Sequence, residues 1–271
     1  MTLAPSALDR YIDSKSPVHA LDARVKLLLT LACILALGLL PPGAWAGIAT
    51  IATILWWAVL RARIGLGLVM RRAFVALPFA LVALTLVFSR PGVPLLRLPL
   101  GPLTLTATDA GLIAFASVLV KSWLSVQAAL LLTATTHFTD VLHALRALRL
   151  PAVLVAILSF AYRYLFVLVD EAQRMLRARE CRSAELPGQR PGGSIVWRAT
   201  VVGQMVGTLF LRSYERSERI YVAMLSRGYS GELRALHHRP LSRREQGLLF
   251  VGGGILAAIV FLTYVAGGGP R

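Results

Sequence analysis

Lysine is nearly missing. Of 29 basic side chains in 271 residues, lysine supplies only positions 15, 26 and 121, and none of them follows a glycine. A nucleotide-hydrolysing P-loop needs a Gly-Lys pair so that the ammonium reaches the terminal phosphates, which excludes ATP hydrolysis by that route. Acids are as scarce in the first half, where Asp109 is the one carboxylate between Ala23 and Thr139. Proton-coupled carriers depend on ionisable relays inside the bundle, so secondary active transport is weakly supported. There are two cysteines, Cys33 in an apolar run and Cys181 among arginines, a placement that offers neither a structural disulfide nor a metal pair. No serine, cysteine or aspartate stands in a catalytic constellation. The five histidines (19, 137, 143, 237 and 238) all fall outside the apolar runs. His237 and His238 are adjacent and would point apart on a helix, so a basic loop accounts for them better than a metal site. The expectation is a protein that is not an enzyme and carries no cofactor.

What the chain has is apolar surface. It is 56% hydrophobic and 15% charged, with several long apolar runs and a mean hydropathy of +0.67. That composition belongs to a multi-spanning membrane protein. A net charge of +16 would suggest nucleic acid in a soluble protein. In a membrane protein, arginine-rich loops on the inner side and anionic headgroups explain it without a nucleic-acid partner. The fold class expected is an all-α membrane protein, with about five transmembrane helices plus a cytoplasmic coupling module of one short and two long amphipathic helices.

Residues 1–26 form a cytoplasmic N-terminal segment, polar at its start and a candidate interfacial helix. Its first apolar run comes late for a cleaved signal peptide. Residues 27–135 hold transmembrane helices 1–4. The first runs from Leu27 to Leu40 and is broken by Pro41-Pro42-Gly43; the second runs from Ala44 to Leu60, with Trp45, Trp56 and Trp57 near its ends. Arg61, Arg63, Arg71 and Arg72 place the next loop inside, which puts the N-terminus inside too. The third span is Ala73 to Ser89. A proline-rich loop over 90–108 lies outside, and the fourth span runs from Ala110 to about Thr135. Lys121 sits at membrane depth in that span, where a lysine costs roughly 2.5–3.5 kcal/mol, so it must face protein or water. It either packs against a neighbouring helix or makes a contact with a partner subunit.

Residues 136–240 break the pattern, and 17 arginines lie between Asp140 and Arg244 beside eight acids. Thr139 or Asp140 is the expected cap of a short helix over 141–148. Pro151 opens a long helix, apolar from 152 to 169 and basic at both flanks. A single crossing would leave an arginine cluster outside, so it is expected to lie along or obliquely beneath the inner interface. Ser194 caps a second long helix that continues to Arg227, 34 residues or roughly 50 Å at 1.5 Å each. Glu215 and Arg219 stand in the favourable i,i+4 order. Gly228 suits the left-handed residue that ends a helix, which leaves Arg227 in the last turn. Residues 241–271 hold the fifth transmembrane helix, about 247–265, and a C-terminus expected outside.

Both long helices therefore close on arginine: Ala178-Arg179-Glu180-Cys181-Arg182-Ser183 and Ser226-Arg227-Gly228. Arginines at helix ends can be interface anchors that complement the helix dipole. Small neighbours favour the other reading, since they leave a guanidinium free to enter a groove and bind a carboxylate with two prongs.

These motifs, with Asp170-Glu171-Ala172-Gln173-Arg174-Met175 and Glu218-Arg219-Ile220-Tyr221-Val222-Ala223-Met224-Leu225-Ser226-Arg227-Gly228-Tyr229, resemble the paired signatures of the T components (EcfT family) of energy-coupling-factor transporters. Leu21-Asp22-Ala23-Arg24-Val25-Lys26-Leu27-Leu28 resembles that family's N-terminal entry. Ser16-Pro17-Val18-His19-Ala20-Leu21-Asp22, with Pro41-Pro42-Gly43-Ala44-Trp45 after it, is most similar to the cobalt-type branch, CbiQ. The first arginine motif departs from the usual Ala-Arg-Gly and admits two registers, Arg182 or Arg179. The resemblance implies a multi-pass protein of the bacterial inner membrane that stands between cytoplasmic ABC-type ATPase subunits and a substrate-binding membrane (S) subunit for cobalt, with nickel or a vitamin as the alternative cargo. Arg182 and Arg227 would be the ATPase-coupling pegs, with Arg179 in reserve and Ser226 and Gly228 beside the second. Metal-ligating residues would belong to the partner. The reading from another class is a non-transport scaffold that binds anionic membrane lipid through its basic helices.

Overall fold

A computed structural model of the chain describes residues 11–12, 14, 16–74, 83–89, 91–100, 103–182, 194–231 and 241–266. In chain order the elements are α1 (Ala23–Leu39), α2 (Trp45–Ala62), α3 (Leu66–Ala73), α4 (Thr85–Ser89), β1 (Pro94–Leu100), β2 (Leu103–Thr108), α5 (Asp109–Thr135), α6 (Phe138–Ala147), α7 (Ala152–Arg182), α8 (Ile195–Ser226) and α9 (Arg243–Ala266). They form two compact units, one holding the elements through α6 together with α9, the other holding α7 and α8.

The first unit is a helical bundle. Three of its helices, at Trp45–Ala62, Asp109–Thr135 and Arg243–Val265, are long and apolar enough to cross a membrane, and they coincide with the expected second, fourth and fifth spans. The expected first span is α1, with 17 residues. Much of the expected third span lies outside the described residues. A fourth helix, Ala152–Arg182 in the second unit, also passes on length and composition.

Packing in the bundle follows from the apolar faces. Leu37 of α1, Ile51 and Leu55 of α2, Leu124 and Ala128 of α5 and Leu256 of α9 close one core. Val59, Ala62, Ile64, Val69 and Ala134 close a second beside the ends of α2 and α5. The Pro41-Pro42-Gly43 break is held from α5: Gly43 N donates to Ser117 Oγ at 2.9 Å, and Ser117 Oγ donates to Ile113 O at 2.7 Å. Ser117 is fully buried, so each of these bonds satisfies a group that water cannot reach.

The segment expected outside departs from the sequence reading in its structure. Residues 94–108, read from sequence as a loop, pair as an antiparallel hairpin with Leu98 opposite Leu105 and Leu100 opposite Leu103. Prolines at 94 and 99 lack a donor and argue against a strand, but a two-stranded hairpin has free edges on which those missing donors cost nothing.

Two further corrections concern the segments flanking the bundle. Among the described residues before Ala23 there is no helix. The described residues of this segment are instead tied to the bundle, with Ile12 N donating to Ala134 O at 3.0 Å and Ser14 Oγ to Ala62 O at 3.0 Å. Tyr11 stacks on His137 with ring centroids 3.6 Å apart, and Lys26 Nζ donates to both His19 O and Thr135 O at 3.0 Å. The short helix begins at Phe138, earlier than the expected Val141. Its cap position is His137, whose side chain makes no capping bond, and Asp140 falls in the first turn. Grouped by sequence with the module starting at residue 136, this helix packs with α1 in the first unit.

Candidate functional site

The second unit is built from two long helices whose sequences change character along their length. Apolar residues fill the first half of α7, and Val153, Leu154 and Ile157 are exposed in the lone chain, a surface that needs lipid or protein cover. α8 starts as expected at Ser194, whose side chain accepts from Trp197 N at 3.3 Å. No residue of α8 is buried. Its half-buried positions, Val201, Met205, Leu209, Ser213, Ile220 and Met224, recur at intervals of four or seven, which is one stripe along a helix of 3.6 residues per turn.

Toward their polar ends the helices are joined by an ion bridge. Glu171 Oε2 accepts from Arg174 Nη2 at 2.6 Å one turn along α7, and Glu171 Oε1 accepts from Arg212 Nη1 of α8 at 2.5 Å. The hydrogen bonds from Arg174 and then Arg212 hold the Glu171 carboxyl below its ordinary value. The i,i+3 half of this bridge is readable from sequence. The other half joins residues 41 apart and becomes visible only with the fold. The pair expected between Glu215 and Arg219 is not an ion pair among the described residues; Arg219 Nε donates instead to the Glu215 backbone carbonyl at 3.4 Å.

The end of α8 is a complete helix stop. Ser226 is the last helical residue and Arg227 is the C-cap, so Arg227 stands one place beyond the expected last turn. Gly228 takes φ +80°, a left-handed conformation that costs glycine nothing. Gly228 N donates to Leu225 O at 2.9 Å and Tyr229 N to Met224 O at 3.0 Å, the paired bonds of a Schellman motif. Ser226 Oγ turns back to Val222 O at 3.0 Å. Arg227 is left exposed, and among the described residues no salt bridge engages it.

α7 ends at Arg182, with Arg179 and Arg182 both in its last turn. Arg182 is exposed, and among the described residues it too forms no salt bridge, whereas Arg179 is half-buried. Ser226, Arg227 and Gly228 thus share one turn. Arg179 and Arg182 share another, and among the described residues no hydrogen bond joins Arg182 to Arg227.

Lys121 lies elsewhere, in α5 of the first unit, where its ammonium donates to the Leu40 carbonyl at the end of α1. That bond gives the charge a partner within the chain. Gln127, on the same helix and 1% exposed, accepts from Trp56 Nε1 at 3.1 Å. Among the described residues there is no group of three or more His, Cys, Asp or Glu side chains placed to hold a metal ion; His237 and His238 lie outside the described residues.

Sequence comparison matches residues 14–238 to the family model of CbiQ, the cobalt transport protein. An energy-coupling factor transporter transmembrane protein EcfT of Thermanaerovibrio acidaminovorans is 32% identical over 245 residues, covering 86% of this chain and 87% of that protein. A cobalt transport protein CbiQ of Rhodobacter capsulatus is 30% identical over 238 residues, covering 85% and 91%. An uncharacterized protein of Methanocaldococcus jannaschii is 28% identical over 195 residues, covering 70% of this chain; the match spans 64% of that relative's length.

Proposed function

The chain belongs to the CbiQ cobalt transport protein family, and from that premise we propose that it is the transmembrane coupling subunit of an energy-coupling-factor importer of the ABC type, serving cobalt uptake. As a family member it is a multi-pass membrane component of a transporter complex. In this reading α7 and α8 face the cytoplasm, and ATP-driven closure of a pair of ATPase subunits moves them. Their motion passes through the bundle to a substrate-binding membrane subunit.

The observation that carries this reading is the exposed arginine at each helix end. A cation that only anchored the helix to headgroups would have no need of Gly228 and the tight stop that projects Arg227 beyond the last turn. A guanidinium so presented offers planar, two-pronged bonding to a carboxylate in a partner's groove. The greater exposure of Arg182 favours it over Arg179 as the first peg, with Ser226 and Gly228 leaving room around the second. Cobalt as cargo rests on the family name alone.

Removing a desolvated peg leaves the partner's carboxylate buried and unpaired, at roughly 2–5 kcal/mol. Arg227→Glu is therefore expected to lower ATPase co-purification and metal uptake while the chain still inserts. Should ATPase binding persist in that variant and track bilayer charge instead, the scaffold that binds anionic lipid through basic helices replaces this reading.

A further inference from the structure

Residues that follow a helix stop usually return to solvent, and Tyr229 does not. Ser226, Arg227 and Gly228 are exposed, but Tyr229 is half-buried. The 3.0 Å bond from its amide to Met224 O folds the chain back along α8. In a Schellman motif the residue after the left-handed position characteristically makes an apolar contact with the third residue from the helix end. Here those residues are Tyr229 and Met224. Both line a groove of about 390 Å³, with Ile220 on the same helix and Phe160, Tyr164 and Leu168 of α7 across from them.

Gly228 alone would make a poor mount for Arg227. A glycine adopts left- and right-handed backbone with similar ease and loses more freedom than any other residue when fixed. A stop held only by two backbone bonds at an exposed helix end frays readily. A half-buried aromatic side chain in the wall of that groove adds what the glycine lacks, a packed surface that favours one arrangement of the turn. Among the described residues the Tyr229 hydroxyl makes no hydrogen bond, so what Tyr229 adds to the groove wall is packing surface.

We propose that Tyr229 is a positioning residue: its side chain, folded back along α8 to form part of the wall of the α7–α8 groove, fixes the direction in which Arg227 leaves the end of α8. The proposal rests on the reading of Arg227 as a docking arginine. It adds a residue that never touches the ATPase yet sets how often Arg227 is presented correctly. Affinity reduced by a shrinking competent fraction falls by the same factor as that fraction.

The test uses the full-length chain in lipid nanodiscs and the ABC-type ATPase subunits that co-purify with it. Tyr229→Ala is expected to weaken ATPase binding about tenfold and Tyr229→Phe by less than about twofold. Arg227→Ala is measured beside them. A second readout needs no ATPase: a nitroxide at Arg227→Cys, with Cys33→Ser and Cys181→Ser, should gain mobility in Tyr229→Ala and keep its original mobility in Tyr229→Phe. If Tyr229→Ala does not insert, Tyr229→Leu takes its place, with an intermediate loss expected. Binding lost in Arg227→Ala but unchanged in Tyr229→Ala overturns this inference and leaves the docking role standing. Binding unchanged in Arg227→Ala overturns the docking role instead, and the nitroxide then decides the inference alone. A nitroxide that stays equally restrained without the ring, or a Tyr229→Phe as weak as Tyr229→Ala, also overturns it.

Discussion

The two units solve the problem of polar groups in opposite ways. In the bundle, polar side chains find partners within the chain: Ser117 with Gly43, Lys121 with the Leu40 carbonyl, Lys26 with His19 and Thr135, and Gln127 Oε1 with Trp56, while Gln127 Nε2 is buried without one among the described residues. In the pair of long helices no residue of α8 is buried, and Arg182 and Arg227 stand exposed at the helix ends. One unit reads as finished and the other as half of something. A unit whose surface is completed by partners stores little stability of its own and is sensitive to changes at its tips, while a finished one is sensitive at its core.

Charge reversal at both tips should give the largest effect. Arg182→Glu with Arg227→Glu is expected to abolish ATPase co-purification and uptake, with membrane insertion unchanged. At roughly 2–5 kcal/mol for each peg, the pair exceeds what any single contact elsewhere can offset. Uptake at the wild-type rate by that double variant would end the assignment. Next comes a matched pair of truncations. Ile51 is completely buried and Phe210 is 66% exposed. Ile51→Ala should cost about 2–5 kcal/mol by opening a cavity, seen as a lower thermal midpoint in detergent. Phe210→Ala should change the midpoint of the isolated chain little, within about 0.5 kcal/mol. Equal midpoints for the two would erase the contrast between the units.

A smaller effect is expected from Ser117→Ala, which leaves Gly43 N without an acceptor beside the proline break, at about 1–3 kcal/mol. The smallest should come from Glu171→Gln, since the bridge to Arg174 and Arg212 is exposed and open to screening by salt. Its pH dependence has a definite sign. The Glu171 carboxyl is held below its ordinary value near 4.5, so the bridge contributes fully above that value and is lost as pH falls through the lowered one. A cross-link yield between α7 and α8 that is flat down to strongly acid pH would show that the bridge contributes nothing.

Much of the fold was readable because it follows from one-dimensional signals. Apolar length marks the helices at 45–62, 109–135 and 243–265, Ser194 announces the start of α8, and Gly228 its end. Two of the misses share a physical cause. Leu98 opposite Leu105 and Arg212 on Glu171 are pairings between segments, which periodicity within a segment does not encode. Phe138 begins its helix without a side-chain cap, so the capping signal at Thr139 and Asp140 misdirected the start. The arginine ends were visible as motifs. Tyr229 appeared in the motif as well, but its place in one groove wall with Phe160 and Tyr164 needed the second helix to be in place.

Sidedness tests the central claim most directly, because force can enter through both arginine tips only if both face the same compartment. Single cysteines, Arg182→Cys and Arg227→Cys, in a chain carrying Cys33→Ser and Cys181→Ser, would be exposed to a membrane-impermeant maleimide in right-side-out and inside-out vesicles. Both positions should react in inside-out vesicles and neither in right-side-out ones. Reaction of the two positions from opposite faces of the bilayer would contradict the claim outright.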